Sequence, residues 1–194
     1  MSEWPEGKFA AILADPPWRF RTWSETNQNR SASNHYSLMT LPEICALPVV
    51  DLVAEDCVLF LWVTRPMLPQ ALQVAEAWGF EYKTVAFTWT KTTKHGKEHM
   101  GLGYWSRGNP EQCWLFTRGN PKRLPTGRGV REWMTAPVRE HSRKPDETHE
   151  RIERLVAGPY LELFGRAQRH GWTVWGNETD KFTEHPSLFE EVTG

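Results

Sequence analysis

The sequence predicts an α/β fold, a three-layer sandwich with a mostly parallel central sheet. Three observations lead there. Residues 9–14 ("FAAILA") and 57–63 ("CVLFLWV") are unbroken apolar runs, the mark of strands covered on both faces. Stretches of helical periodicity follow strand-like runs early and late in the chain, as crossovers between parallel strands require. The first run stops abruptly on Asp15, Pro16, Pro17 and Trp18. Proline has no N–H to give a ladder, so pairing ends at Ala14, and these four residues arrive at the carboxyl edge of the sheet, where open α/β sheets bind ligands.

The elements follow in order. A long polar stretch over residues 21–40 has the size and composition of a lid or binding loop. Thr40 and Glu43 form the Thr-x-x-Glu capping box of a helix, with Pro42 tolerated in its first turn. After the strand at 57–63, a helix is expected from Pro66 to Trp78, stopped by Gly79, and then a strand over 81–91. Residues 111–119 read as a strand, and 145–158 as a helix with an acidic start closed by Gly158. Two further strands are expected at 160–165 and 172–176. The insertions at 19–40, 92–110 and 119–143 are expected to gather near one end of the sheet.

A chain of 194 residues, 39% hydrophobic and 24% charged, suits a single domain over 1–194. No apolar stretch approaches the length of a membrane span. The start "MSEWPEGK" lacks the layout of a signal peptide, so a cytoplasmic location is expected. Cys45, Cys57 and Cys113 match neither a disulfide framework nor a zinc pattern, and no metal site is expected. The net charge of −1 argues against a general nucleic-acid binder, but its distribution is lopsided. From Arg118 to Lys144, eight basic residues face two acids, a local balance of +6 in a Gly- and Pro-rich segment, whereas the chain beyond Asp146 is acidic. Such a field can steer a polyanion to one face.

One chemistry needs a carboxylate, a stiff backbone and a large ring together. The exocyclic amine of adenine is a poor nucleophile because its lone pair is delocalised into the ring. A carboxylate can accept one N–H, and a backbone carbonyl aimed by Pro16-Pro17 the other, favouring a pyramidal nitrogen while a methyl group is transferred. Trp18 is then expected to stack on the base once it has left its helix.

The sequence resembles the MTA-type adenine N6-methyltransferases, relatives of the catalytic subunit of the eukaryotic mRNA adenosine methyltransferase with many phage and bacterial members. The likeness rests on "ADPPW" (14–18), "LFLWVT" (59–64), "GF" with "FTWTK" (79–91), "GLGYW" with "EQCWLF" (101–116), "HSRKPDE" (141–147) and "LELFGR" with "GWTVWGNE" (161–178), in that order. The resemblance implies a Rossmann-like methyltransferase dependent on S-adenosylmethionine (SAM), in a permuted order with the catalytic strand first and the cofactor strand last. It also implies roles. Asp15, Pro16, Pro17 and Trp18 match the catalytic motif, and Asp15 also meets the SAM ammonium. Lys144 matches the lysine that holds the SAM carboxylate; Glu162, Phe164, Arg166, Asn177 and Glu178 match cofactor positions. Tyr36, Glu111 and Arg143 match positions around the target base. Arg123, Arg128 and Arg131 of the basic segment are expected to meet nucleic acid. Gln168 and Arg169 differ from the mRNA enzyme and are not carried over. His35 and His141 receive no catalytic role, since a methylated amine cation loses its proton readily to water.

The expected reaction is therefore methylation of the 6-amino group of a flipped adenine in nucleic acid, with DNA ahead of RNA for a small chain of prokaryotic or phage type. The alternatives are a non-catalytic partner subunit of a methyltransferase complex and an amino-methyltransferase acting on RNA. A homodimer or a second methyltransferase-like subunit is the expected protein partner.

Overall fold

The apolar runs do form strands covered on both faces. The computed structural model describes residues 3–19, 38–101, 103, 105–140, 143–177 and 179. Seven strands, β1 (Phe9–Ala14), β2 (Val53–Val63), β3 (Glu81–Thr92), β4 (Glu111–Arg118), β5 (Trp133–Pro137), β6 (Tyr160–Leu163) and β7 (Trp172–Trp175), build one sheet in the order β5-β3-β4-β2-β1-β6-β7. The pairs β1–β2, β1–β6, β6–β7 and β3–β5 are parallel, whereas β4 lies antiparallel to β2 and β3. Among the described strands, β4 thus runs against the other six.

Alternation along β2 shows how the layers form. Cys57, Leu59, Leu61 and Val63 pack with Ile44 of α1 (Leu41–Cys45) and Val74 of α2 (Leu68–Ala77). Val58, Phe60 and Trp62 point the other way, into a second core with Ile152 of α3 (Glu147–Leu155). Each face of the sheet carries helix, which explains why β2 shows no polar alternation in sequence. None of the described helices is long and apolar enough to cross a membrane. Cys57 and Cys113 are buried as free thiols, and burial pushes Cys57 up to about 12.

The local signals mostly act as expected. Thr40 and Glu43 close the capping box on α1. The second helix splits, with a 3-10 turn over Arg65–Met67 before α2, and Gly79, at φ +82°, ends it. The Trp78 indole donates to the Ile44 carbonyl at 3.1 Å, tying α2 to α1. Three expected ends move, the first being the start of β2, already at Val53. Strand β6 stops at Leu163 because Phe164 turns to φ +66°. Helix α3 stops at Leu155, before Gly158, because Val156 is already extended and bridges to Pro125.

The segment 119–143 differs more. It contains β5, whose short "WMTAP" alternates exposed and buried positions and ends on a proline, a weak strand signal in sequence. Because β4 runs down the sheet, Gly119 and Asn120 lie at the amino edge of the parallel strands, where Asn120 meets Asp56, and the chain climbs back so that Trp133 pairs with Thr88 near the carboxyl edge. Gly119 shows the placement: its φ is +73°, and a Cβ there would overlap the Glu55 carbonyl near the start of β2. The expectation that all three insertions share one end is therefore corrected for the start of this one, and most of the 19–40 insertion lies outside the described residues.

Trp18 belongs to the core. It is 3% exposed among the side chains packed with α1 and α2, and its indole donates to the Trp62 carbonyl at 3.3 Å. Replacing Trp18 with Ala should lower stability by about 3–5 kcal/mol, read as a reduced urea midpoint. Trp18→Phe, which keeps most of the volume and loses the N–H, should cost far less. An unchanged midpoint for the alanine variant would contradict this placement.

Candidate active site

The end of β1 fixes the first carboxylate. Ala14 is paired with Leu61 on one side and Leu163 on the other, and the Asp15 N–H still donates to the Leu163 carbonyl at 3.4 Å. The chain then turns tightly. The Trp18 N–H donates to the Pro16 carbonyl at 2.8 Å, and the Met39 N–H to the Pro17 carbonyl at 3.0 Å. With Trp18 sealed beneath, Asp15 and the Pro16 carbonyl are held on a rigid turn. The same burial corrects the stacking role expected of Trp18: a ring covered on both sides by the core has no face to give a base.

Asp15 is one end of a chain of alternating charges. Lys144 Nζ lies 2.8 Å from Asp15 Oδ2 and 3.4 Å from Glu111 Oε2, at 5.6 Å from the centre of the Trp62 ring. Glu111 also bonds Lys91 through Oε1. Burial would push the Glu111 carboxyl up, but Lys144 and Lys91 outweigh it and hold the group below the usual carboxylate range. Lys144 is positioned in turn through its backbone. Arg139 grips Asp146 with Nη1 at 2.6 Å and Nη2 at 3.2 Å and also donates to the Lys144 carbonyl, while Arg143 Nη2 reaches Asp146 at 3.1 Å. Asp146 is likewise lowered: its burial acts upward and is outweighed by Arg139 and then Arg143.

Beside this array lies a cavity of about 340 Å³. Asp15 enters from β1, Thr148 and His149 from α3, and Glu162, Phe164 and Arg166 from β6 and the turn after it. His149 Nε2 lies 2.9 Å from Glu162 Oε2, with its ring edge-on to Trp172. Thr148 Oγ1 is fully buried in the wall without a hydrogen-bond partner. Phe164, at φ +66°, stores backbone strain of about 1–3 kcal/mol at the cavity rim. The turns after β6 and β7 meet backbone to backbone, since a Cβ at Gly176 would overlap the Gly165 carbonyl. The donor set fits SAM, offering carboxylates for an ammonium and a diol, cations for a carboxylate, and an orphaned hydroxyl in a cavity of small-molecule size.

The structure thus brings together Asp15, Pro16, Lys144, Glu111, Arg143, Glu162, Phe164 and Arg166. Pro17 is half-buried in the turn. Asn177 is exposed just beyond β7 and is not part of the cavity wall. Tyr36 and Glu178, like His35 and His141, lie outside the described residues. Arg123, Arg128 and Arg131 are all exposed; Arg123 lies at the opposite edge, 3.8 Å from Asp56, and the Arg131 carbonyl accepts from Arg151 in the middle of α3. The reversed direction of β4 thus takes Arg123 away from the catalytic face, against expectation. Sequence reasoning missed Lys91, Arg139, Asp146, Thr148 and His149. Arg139 and Asp146 flank Lys144 closely enough to have been suspected, and Lys91 lies one residue before the end of β3, in the hairpin that returns beside Glu111. Gln168 and Arg169, set aside in the sequence, both line the cavity.

The MT-A70 family matches residues 9–178. The chain is 33% identical to the type II methyltransferase M.MunI of a Mycoplasma species, over 90% of this chain and 79% of that protein. It is 31% identical to the human N(6)-adenosine-methyltransferase catalytic subunit METTL3, over 90% of this chain and 29% of that protein. With the mouse N(6)-adenine-specific methyltransferase METTL4 it shares 29% identity, over 93% of this chain and 39% of that protein. It therefore spans most of M.MunI and well under half of METTL3 and METTL4. The match runs from the first residue of β1 through the turn beyond β7, covering every strand that builds the site, and the chain belongs to the MT-A70 family.

Proposed function

We propose that this chain transfers a methyl group from SAM to the 6-amino group of adenine in nucleic acid, with DNA as the acceptor. The observation that carries the reading is the turn that ends β1, which sets the Asp15 carboxylate in the wall of a cavity that suits SAM, one residue before the Pro16 carbonyl. Family membership supports it, since relatives of this chain include adenine and adenosine N6-methyltransferases.

When bound, SAM supplies an electrophilic methyl group on a sulfonium. The protein supplies geometry. Lys144 engages Asp15 Oδ2, which leaves Oδ1 to accept one N–H of the amine, and the second lone pair of the Pro16 carbonyl accepts the other. Both acceptors favour the pyramidal nitrogen needed as the new bond forms. Lys144 takes the cofactor carboxylate as a further anionic partner, and Glu162 and Arg166 serve its polar groups. The proton leaves to water from an acidic product cation, so no imidazole is required.

Isotopically labelled SAM incubated with DNA and with RNA, followed by mass spectrometry of the nucleosides, should place the label in N6-methyladenine from DNA; label only in RNA would overturn the choice of acceptor. Asp15→Ala should lose roughly 10²–10³-fold in turnover while still melting cooperatively. A folded Asp15→Ala enzyme with normal turnover would refute the mechanism. Lys144→Ala should weaken SAM binding by about 1.5–3 kcal/mol in calorimetry, as expected for a charge-assisted contact.

The charge array also has an acid signature. The Glu111 carboxyl is depressed in the fold, so it stabilises the native state above its ordinary value of 4.5, and that contribution is lost as pH falls through its lower folded value. Urea midpoints should therefore drop on acidification from about pH 6 towards pH 3. Glu111→Gln should be less stable at neutral pH and lose less on acidification; a parallel pair of pH profiles would exclude this role.

A further inference from the structure

One histidine in the cavity wall is placed for a task that packing does not explain. His149 comes from the first turn of α3, where its N–H donates to the Asp146 carbonyl at 3.1 Å, and its side chain is 13% exposed. The imidazole stands edge-on to Trp172, with ring centres 4.9 Å apart. Trp172 is itself locked, stacked on Tyr160 at 4.8 Å and donating its indole N–H to Glu153 Oε1 at 2.7 Å. An apolar ring would fill this space as well. It would not leave a buried nitrogen unpaired, as the imidazole does at Nδ1 among the described residues.

What the imidazole adds is Nε2, 2.9 Å from Glu162 Oε2. A carboxylate oxygen only accepts, so Nε2 carries the hydrogen, and a neutral ring then keeps a bare lone pair at Nδ1. Glu162 is confined from its backbone outward. It is paired with Leu13 on one side and Val174 on the other. A Cβ at Gly165 would come within 3.2 Å of Glu162 Cδ. The side chain is thus packed against Gly165 and tied at its tip to His149.

The position suits a second carboxylate serving another part of one ligand. Glu162 lies beside Leu13, two residues short of Asp15, an offset of about 6–7 Å along parallel strands. Both carboxylates line the cavity. With Asp15 assigned to the ammonium and the acceptor amine, Glu162 meets the ribose diol, whose hydroxyls donate best to an oxygen already aimed at them. We propose that His149 is a positioning residue for the cofactor: its Nε2–H holds Glu162 Oε2, and Oε1 accepts from the ribose hydroxyls of SAM. This inference rests on the reading that the cavity takes SAM.

The test is calorimetry with S-adenosylhomocysteine and with its 2′,3′-dideoxyribose analogue. The wild type should bind the analogue roughly 10- to 150-fold more weakly, the range for a hydrogen bond to a charged group. In His149→Phe the affinity for S-adenosylhomocysteine should fall while that for the analogue holds, so that the ratio closes to about 3-fold. His149→Gln, which keeps an N–H at similar reach, should restore most of the ratio. In turnover, His149→Phe should raise KM for SAM and leave kcat nearly unchanged, since the Asp15 turn is untouched. Nitrogen NMR of the histidine-labelled wild type at alkaline pH should show the His149 hydrogen on Nε2, a readout that needs no folded variant. Equal discrimination against the analogue in His149→Phe and the wild type would overturn the proposal, as would a neutral His149 with its hydrogen on Nδ1. A wild-type protein that does not bind S-adenosylhomocysteine would overturn the cofactor reading itself, and this inference with it.

Discussion

The carboxyl edge of the sheet depends on one ammonium group. Lys144 sits between Asp15 and Glu111, two half-buried carboxylates that would repel each other without it. Withdrawing charges from water is costly, and a buried ionic cluster holds only when each member has a partner and good geometry. Lys91 completes the alternation on the far side of Glu111, and the Arg139–Asp146 pair fixes the backbone from which Lys144 extends. Lys144 and Asp15 are 129 positions apart, so this contact exists only because the sheet brings the end of β1 and the approach to α3 together. The catalytic geometry is in that sense a property of the topology before it is a property of any motif.

Topology also decides what stays away from the site. A strand that reverses direction sends its following loop to the opposite edge, and β4 is such a strand. Its reversal divides the basic segment 118–144 into an amino-edge part, where Arg123 meets Asp56, and a carboxyl-edge part, where Arg139, Arg143 and Lys144 gather over Asp146. The same reversal makes β3 and β4 a long hairpin whose connection stands beside Asp15. A charge count along the sequence cannot register this division, because both parts contribute equally to a local balance of +6.

Much of the fold was legible for a physical reason: strands covered on both faces must be apolar throughout, so β1 and β2 announced themselves, and the Thr40–Glu43 capping box announced α1. Strand β5 did not, because a short edge strand with one face in water and a proline at its end resembles a loop. In the site, Asp15 could be read because Asp-Pro-Pro-Trp directly after a buried strand delivers a carboxylate to the carboxyl edge of the sheet, where ligands bind. His149 and Thr148 could not, since a helix that starts acidic gives no sign of which turn faces a cavity. Trp18 was misread because its motif neighbours are ligand-facing, while its own side chain points into the opposite, apolar layer.

That misreading separates two demands usually met by one picture of an aromatic ring in an active site. Methyl transfer to an amine needs no strong base, so what the protein must provide is aim: an oxygen of Asp15 and the carbonyl of Pro16 held within a fraction of an ångström. A large ring best serves aim when buried, where the Trp18 indole is anchored on the Trp62 carbonyl and stiffens the turn above it. Holding a displaced base needs the reverse, a ring with an open face. One side chain cannot be locked in the core and open to a ligand, so Trp18 serves precision alone.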